Sequence, residues 1–162
     1  MSITKIKRIA VKNFKSLSDF EIDDLPMFVC LIGINGAGKT TFLQLLDFIG
    51  ALMKGNVGEW LAKEQGWTFN DLPTMGSGKS IIELEVEALL EDHLAKWKAK
   101  FNIREQRCTY EELEEEGLSC VFESGRLRVS NHRGAGSSST IDLSDFKFEG
   151  SIFSHRKSAL AA

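Results

Sequence analysis

The chain has 162 residues and a formal net charge of −3, with 43% hydrophobic and 27% charged residues. This composition is typical of a globular domain and excludes disorder throughout, and the acidic balance argues against a wholly basic nucleic-acid-binding module. Cys30, Cys108 and Cys120 show no C-x-x-C spacing, which disfavours a zinc site or a disulfide framework. The longest apolar run, Met27–Ile32, is far shorter than the roughly 20 residues that span a bilayer, and the first residues of the sequence do not form the apolar core of a signal peptide. We therefore expect a cytoplasmic protein without a membrane segment.

The N-terminal part of the chain predicts three strands. Residues 3–14 alternate basic and apolar side chains, as in a strand with one solvated face. A second strand is predicted around Asp19–Leu25, where Phe20 and Ile22 share one side. Met27–Ile32 is apolar on both faces, which predicts a buried central strand covered by layers on both sides.

A helix is predicted further along the chain. Apolar residues recur at helical spacing from Phe42 to Met53, which favours a helix with one face against a core. Gly55 and Gly58 are expected to end it. The stretch Asn56–Gly78 is mixed in composition and predicts no defined element.

The second half of the chain predicts paired strands. Apolar residues alternate with glutamates over Ser80–Ala88 and with lysines over Lys96–Ile103, so the two charge types are expected to face one another across a sheet. The remaining predictions are a hairpin over Leu118–Val129 that turns at Glu123–Gly125, a flexible loop over 131–140 and a last strand over Ile141–Phe148.

The stretch Gly33-Ile-Asn-Gly-Ala-Gly-Lys-Thr-Thr41 contains the pattern G-x-x-x-x-G-K-T of a phosphate-binding (Walker A) loop. Glycines let the backbone wrap a phosphate, and the loop amides converge on the anion at the positive end of the next helix. Lys39 is expected to reach the β- and γ-phosphates of a nucleotide, and the Thr40 hydroxyl is expected to bind Mg²⁺. Since a predicted strand precedes the loop and a predicted helix follows it, the sequence predicts nucleotide binding.

A second glycine-rich stretch, Gly76-Ser-Gly-Lys-Ser80, is similar to the end of such a loop. Pro73 stands where its first glycine would be, and a predicted strand follows it instead of a helix. We interpret it as a turn that enters that strand, and we expect Lys79 to be dispensable.

Weaker candidates are interpreted as surface features. The histidines His93, His132 and His155 have no metal-ligand spacing. The acidic run Glu111–Glu116 predicts a solvated face. The arginines Arg126, Arg128 and Arg133 could alternatively contact a nucleic-acid backbone.

The segment Val11-Lys-Asn-Phe-Lys-Ser-Leu17, followed by a strand and by Ile32–Leu43, resembles the start of RecF/SMC-like ABC-type ATPases, which include the OLD-family and related AAA family ATPases. The resemblance covers roughly residues 3–54. It implies an α/β P-loop NTPase fold, an ABC-ATPase-like partial head with parallel core strands and an antiparallel β-subdomain. It also implies that ATP and Mg²⁺ are held by Asn35, Gly36, Ala37, Gly38, Lys39, Thr40 and Thr41, and that Lys15 and Ser16 lie beside the nucleotide.

The sequence departs from that family after the first helix. The family's Walker B strand, an apolar run ending in Asp-Glu, supplies a metal-water ligand and the base, but no apolar run of four or more residues precedes an Asp-Glu pair after Thr41. The signature segment that a second head contributes is also not found. The resemblance therefore implies part of a head, either a truncated chain or a natural split protein. We expect one P-loop domain over 1–162, with strands, loop and first helix in 1–55 and a β-hairpin subdomain in 80–150.

The expected function is ATP binding within an ATPase for nucleic-acid maintenance or phage defence. ATP hydrolysis, with Lys39 as a catalytic residue, is expected of the complete assembly and not of this chain alone. The expected partners are a second ATPase head or a missing C-terminal half, and DNA or an effector nuclease. A non-hydrolysing nucleotide sensor or regulatory subunit and a non-functional fragment are the open alternatives. A P-loop kinase or GTPase is disfavoured, because it would need an acceptor site or the guanine-reading Asn-Lys-x-Asp motif, and no such motif occurs.

Overall fold

One antiparallel sheet organises the fold, which is given by a computed structural model that describes residues 3–90, 93–131 and 137–142. Its strands are β1 (Ile3–Phe14), β2 (Leu17–Ile22), β3 (Ile81–Leu90), β4 (His93–Asn102), β5 (Arg107–Glu115), β6 (Leu118–Glu123), β7 (Arg126–Asn131) and β8 (Ser137–Asp142). Their order is β2-β1-β3-β4-β5-β6-β7-β8, and every neighbouring pair is antiparallel. The N-terminal strand therefore joins the later strands in the same sheet.

The predicted pairing of glutamates with lysines between β3 and β4 is confirmed. Glu85 lies opposite Lys98, and Glu87 lies opposite Lys96 with an ion pair of 2.9 Å. The alternate residues of β3, including Leu84, point to the other face and are buried in the core. The period-two pattern therefore predicted which face of β3 and β4 carries the charged side chains and which residues lie opposite one another.

Helix α1 (Lys39–Lys54) packs its apolar stripe on the buried face of the sheet. The ring of Phe48 stacks on Phe14 of β1 at 5.4 Å between centroids and meets Phe101 of β4 edge-on at 5.6 Å. The helix ends as predicted at Gly55, whose φ of 74° suits glycine and whose N–H bonds the last turn. Gly58 does not end it, because Gly58 lies in the next helix.

A short irregular layer follows α1. Helix α2 (Val57–Glu59) continues into a π-helical stretch, Trp60–Gln65, and a 3-10 turn covers Phe69–Asp71. Trp60 and Leu61 are buried against the core that α1 shares with the sheet. Within the described ranges, no helix has both the length and the apolar character that crossing a membrane requires.

The prediction of a buried central strand over Met27–Ile32 is wrong in this structure. The segment forms no strand, and the side chains of Met27, Phe28 and Ile32 are 85%, 83% and 90% exposed. Across the described residues no backbone group of this stretch makes a hydrogen bond with another backbone group. A strand needs a neighbour for its N–H and C=O groups, and these ranges offer none here. The predicted parallel core is accordingly not seen.

Strand β5 was not predicted, and it corrects the interpretation of the acidic run. Glu111 is 2% exposed and accepts a hydrogen bond of 3.2 Å from the indole Nε1 of Trp97. A register shift next to Phe101 gives β5 one extra residue opposite β4, so that Cys108 and Glu111 both face the core. This bulge breaks the alternation by which a strand is read from sequence.

The C-terminal hairpin is confirmed, and the flexible loop is only partly tested. Strands β6 and β7 turn at Ser124 and Gly125, both of which have positive φ. Ser137–Thr140, predicted as loop, belongs to β8 and pairs with β7. Residues 132–136 of the predicted loop and 143–148 of the predicted last strand lie outside the described residues.

Candidate nucleotide-binding site

The glycine-rich loop forms an exposed turn directly before α1. Gly36 and Gly38 have φ of 85° and 84°, in the left-handed region that other residues avoid. The turn is closed by a hydrogen bond of 3.2 Å from the Ala37 N–H to the Ile34 carbonyl. The backbone path of the motif therefore favours glycine at these two positions.

Lys39, the first residue of α1, folds its side chain back over the loop. Its Nζ donates hydrogen bonds of 2.7 Å to the carbonyl oxygens of Gly33 and Ile34. An ammonium group has three N–H donors, so one remains for a ligand. The Lys39 side chain thus bridges the two ends of the loop, and its ammonium group is fixed beside the loop.

The N-terminus of α1 carries an uncompensated positive end. Gly38 is the N-cap residue and has no side chain to cap the first amides, and the first turn contains no acidic residue. The Thr40 side chain is exposed, and its hydroxyl makes no hydrogen bond to another described residue. Free helix amides, a fixed ammonium and an available hydroxyl are the groups that bind a phosphate and its metal ion.

Ser16 is placed against this loop by the tight turn between β1 and β2. Its hydroxyl donates a hydrogen bond of 2.9 Å to the Thr41 hydroxyl. A side-chain carbon added to Gly38 would lie 3.6 Å from both the Ser16 Oγ and the Leu17 side chain. The loop and the turn therefore touch, and an added side-chain carbon at position 38 would be in ordinary van der Waals contact with the turn.

Lys15 contacts the helix and not the glycine loop. Its Nζ lies 2.8 Å from the centre of the Trp67 ring and donates a hydrogen bond of 3.3 Å to Oε1 of Gln44. Burial lowers the pKa of Lys15, and the negative charge of Asp71 partly opposes this shift. Of the two residues predicted beside the nucleotide, the structure brings Ser16 to the loop and places Lys15 one helical turn beyond Thr41.

The second glycine-rich stretch is a turn that leads into β3, as predicted. It is held by the buried side chain of Asn13, whose Oδ1 accepts hydrogen bonds from the Thr74 N–H (3.1 Å) and the Ser77 hydroxyl (2.7 Å). The Asn13 amide nitrogen donates to the carbonyls of Lys79 (3.2 Å) and Ile81 (2.8 Å). The Lys79 side chain is exposed. This stretch is therefore held by Asn13 and is followed by a strand instead of the N-terminus of a helix.

No role is predicted from the sequence for Asn13, Gln44 or Trp67. Gln44 follows Thr41 by three residues and so shares its helix face, a spacing that could have indicated its position near Lys15. Asn13 and Trp67 contact residues that are distant in sequence, so no local periodicity predicts their contacts.

Comparison with known proteins supports the interpretation of the loop. The sequence matches the AAA ATPase domain family over residues 5–124, which is most of the chain. The chain belongs to the AAA ATPase domain family. This confirms the predicted AAA-type ATPase family, whose members bind nucleotides.

One curated relative of this AAA ATPase domain is similar over a shorter stretch. The OLD nuclease of Thermus scotoductus is 43% identical over 44 residues, which is 27% of this chain and 8% of that protein. The match thus spans less than a tenth of the length of that nuclease.

Proposed function

We propose that the chain binds Mg-ATP at the loop Gly33–Thr41 and serves as the nucleotide-binding part of a cytoplasmic ATPase. The observation that carries this proposal is the bridge that Lys39 forms across the loop, which fixes an ammonium group beside the free amides at the start of α1. The residues proposed to hold the phosphates are those between Asn35 and Thr41, and Ser16 flanks them.

The metal ion is assigned to the Thr40 hydroxyl. That hydroxyl is exposed in the first turn of α1 and has no competing partner among the described residues. Mg²⁺ bound there would neutralise charge on the phosphate oxygens. The Lys39 ammonium, whose position is fixed by the Gly33 and Ile34 carbonyls, would also neutralise negative charge on the phosphate oxygens.

Hydrolysis is proposed for a larger assembly. The reaction needs a carboxylate to position the attacking water, but no apolar run ending in Asp-Glu follows Thr41, and the first turn of α1 has no acidic residue. We assign the missing groups to further polypeptide, either a second ATPase head or a C-terminal half.

The segment from Met27 to Ile34 supports this need for further polypeptide. Met27, Phe28, Ile32 and Ile34 are between 83% and 90% exposed, and the backbone of Met27–Ile32 is unpaired within the described ranges. An extended apolar segment with unpaired amides is suited to a position between two other strands. We propose that added strands pair here and complete a parallel core beside the phosphate loop.

The biological role is proposed to be nucleic-acid maintenance or phage defence. The family and the partial similarity to an OLD nuclease support an ATPase that works with DNA or an effector nuclease. A nucleotide sensor without hydrolysis is the second candidate, because the sequence has a binding loop but no Walker B pattern after it.

Calorimetry with the 162-residue chain tests the proposed site. Lys39→Ala removes the cation at the loop and should weaken Mg-ATP binding at least about tenfold, which corresponds to about 1.4 kcal/mol. Lys79→Ala is the matched control, because Lys79 ends the similar glycine-rich stretch with an exposed side chain. Equal affinities of the unmodified chain and Lys39→Ala would contradict the proposal, and an equal loss from Lys79→Ala would move the site to the second stretch.

A further inference from the structure

The ammonium group of Lys15 has an unusual set of neighbours. It lies 2.8 Å from the centre of the Trp67 ring and donates to the Gln44 side chain, and no carboxylate of the described residues forms an ion pair with it. Asp71 acts on it only through its charge at longer range. A partly buried cation that has a ring face and one amide oxygen as partners keeps much of its positive potential.

Trp67 is held through both its backbone and its ring. Its backbone N–H donates a hydrogen bond of 2.9 Å to the Leu61 carbonyl, and its ring meets the buried ring of Trp60 edge-on at 6.1 Å. The chain beyond it is fixed by a capping box between Thr68 and Asp71. Trp67 is therefore a half-buried residue whose backbone is hydrogen-bonded and whose ring packs against Trp60.

The backbone of Lys15 is hydrogen-bonded to the segment that follows Trp67. Its N–H donates a hydrogen bond of 2.8 Å to the Leu72 carbonyl, and the next residue, Ser16, bonds to Thr41 in the phosphate-site helix. Gln44, the partner of the Lys15 ammonium, lies one turn after Thr41 on α1. The cation is thus held beside the first two turns of the helix whose N-terminus faces the phosphate loop.

We propose that Trp67 is a positioning residue for nucleotide binding: its ring holds the Lys15 ammonium beside α1, where the charge strengthens binding of phosphate at the loop. This inference rests on the proposed function. Without the ring, the flexible lysine side chain would move into solvent, where water screens its charge. Trp67 would then influence ATP binding only through Lys15.

Calorimetry of Mg-ATP binding by the full chain tests this inference. Trp67→Leu and Lys15→Met should each weaken binding about fivefold, as expected for the loss of one weakly screened charge, and the double variant should be no weaker than either. Trp67→Phe should restore most of the affinity, because phenylalanine keeps a ring face for the ammonium. Melting curves of all variants identify losses that come from unfolding, and only variants folded at the assay temperature are compared.

The possible outcomes separate this inference from the proposed function. Equal affinities of the unmodified chain and Trp67→Leu would overturn the inference alone. Additive losses in the double variant, or a loss in Trp67→Phe as large as in Trp67→Leu, would also overturn it, since either result would indicate a purely structural role. Absence of Mg-ATP binding by the unmodified, folded chain would overturn the proposed function and the inference together.

Discussion

The hydroxyl of Ser16 donates a hydrogen bond of 2.9 Å to the hydroxyl of Thr41. This bond joins the turn between the first two strands to the first turn of α1. The same turn reaches Gly38, where an added side-chain carbon would meet Ser16 at 3.6 Å. The start of the chain therefore supports the phosphate loop directly, although about twenty-five residues separate the two in sequence.

A double-mutant cycle on this pair should reveal a small positive coupling. Ser16→Ala and Thr41→Ala should each lower the free energy of unfolding by about 1 kcal/mol, the usual net contribution of one hydrogen bond. The double variant should lose clearly less than the sum of the two single losses, because both remove the same bond. Urea unfolding measures the four free energies, and strict additivity would mean that the bond contributes nothing.

Gly38→Ala should destabilise the chain and weaken Mg-ATP binding. An alanine at the Gly38 φ of 84° costs about 1–2 kcal/mol of backbone strain. Gly50→Ala is the matched control, since Gly50 lies within α1 with no atom within 4 Å of the added carbon, and it should stabilise the helix by about 0.5–1 kcal/mol. Thermal unfolding and calorimetry measure both effects. A gain in stability from Gly38→Ala would mean that the loop has another backbone conformation.

The 162-residue chain should bind ATP and release phosphate only at background rate. Binding needs the loop, α1 and Mg²⁺, whereas turnover also needs a positioned water and a carboxylate of the kind that a Walker B strand supplies, and no Walker B pattern follows Thr41 in the sequence. The loss of such groups slows hydrolysis by factors on the order of 10² to 10⁵. Phosphate release is measured with Lys39→Ala as the control for contaminating ATPases. Steady turnover near 1 per second that depends on Lys39 would show a complete active site within this chain.

Tyr110 should ionise at unusually high pH in the folded protein. Burial and the hydrogen bond to the Glu112 carboxylate raise its pKa to about 12, from about 10 in an unfolded chain. Because the folded state binds this proton more tightly, its contribution to stability is complete below pH of about 10 and is lost as the pH rises through 12.

Absorbance titration measures this pKa without ambiguity, because Tyr110 is the only tyrosine of the sequence. Glu112→Gln removes the negative charge beside the phenol and should lower the midpoint, while burial should keep it above that of the urea-unfolded chain. Glu59→Gln is the control, since Glu59 pairs with Lys63 on the helical side and should leave the midpoint unchanged. A midpoint of about 10 in the folded chain would contradict the environment described for Tyr110.

Local patterns predicted the elements whose shape depends on their own residues. The phosphate loop is one example, because Gly36 and Gly38 readily adopt the positive φ of its backbone path. The facing glutamates and lysines of β3 and β4 are another, because a period of two assigns each side chain to a face. Helix α1 and its end at Gly55 follow from helical spacing and from the conformational freedom of glycine.

Only the tertiary structure decided the features that depend on a neighbour distant in sequence. A bulge against β4 hides the alternation of β5 and turns Glu111 inward to Trp97, so an acidic run that suggested a solvated face lies partly in the core. Met27–Ile32 has the composition of a buried strand but no strand beside it among the described residues, and it is exposed. A sequence pattern states which surfaces a segment can bury, whereas pairing and burial require another segment to supply the hydrogen bonds and the apolar contacts.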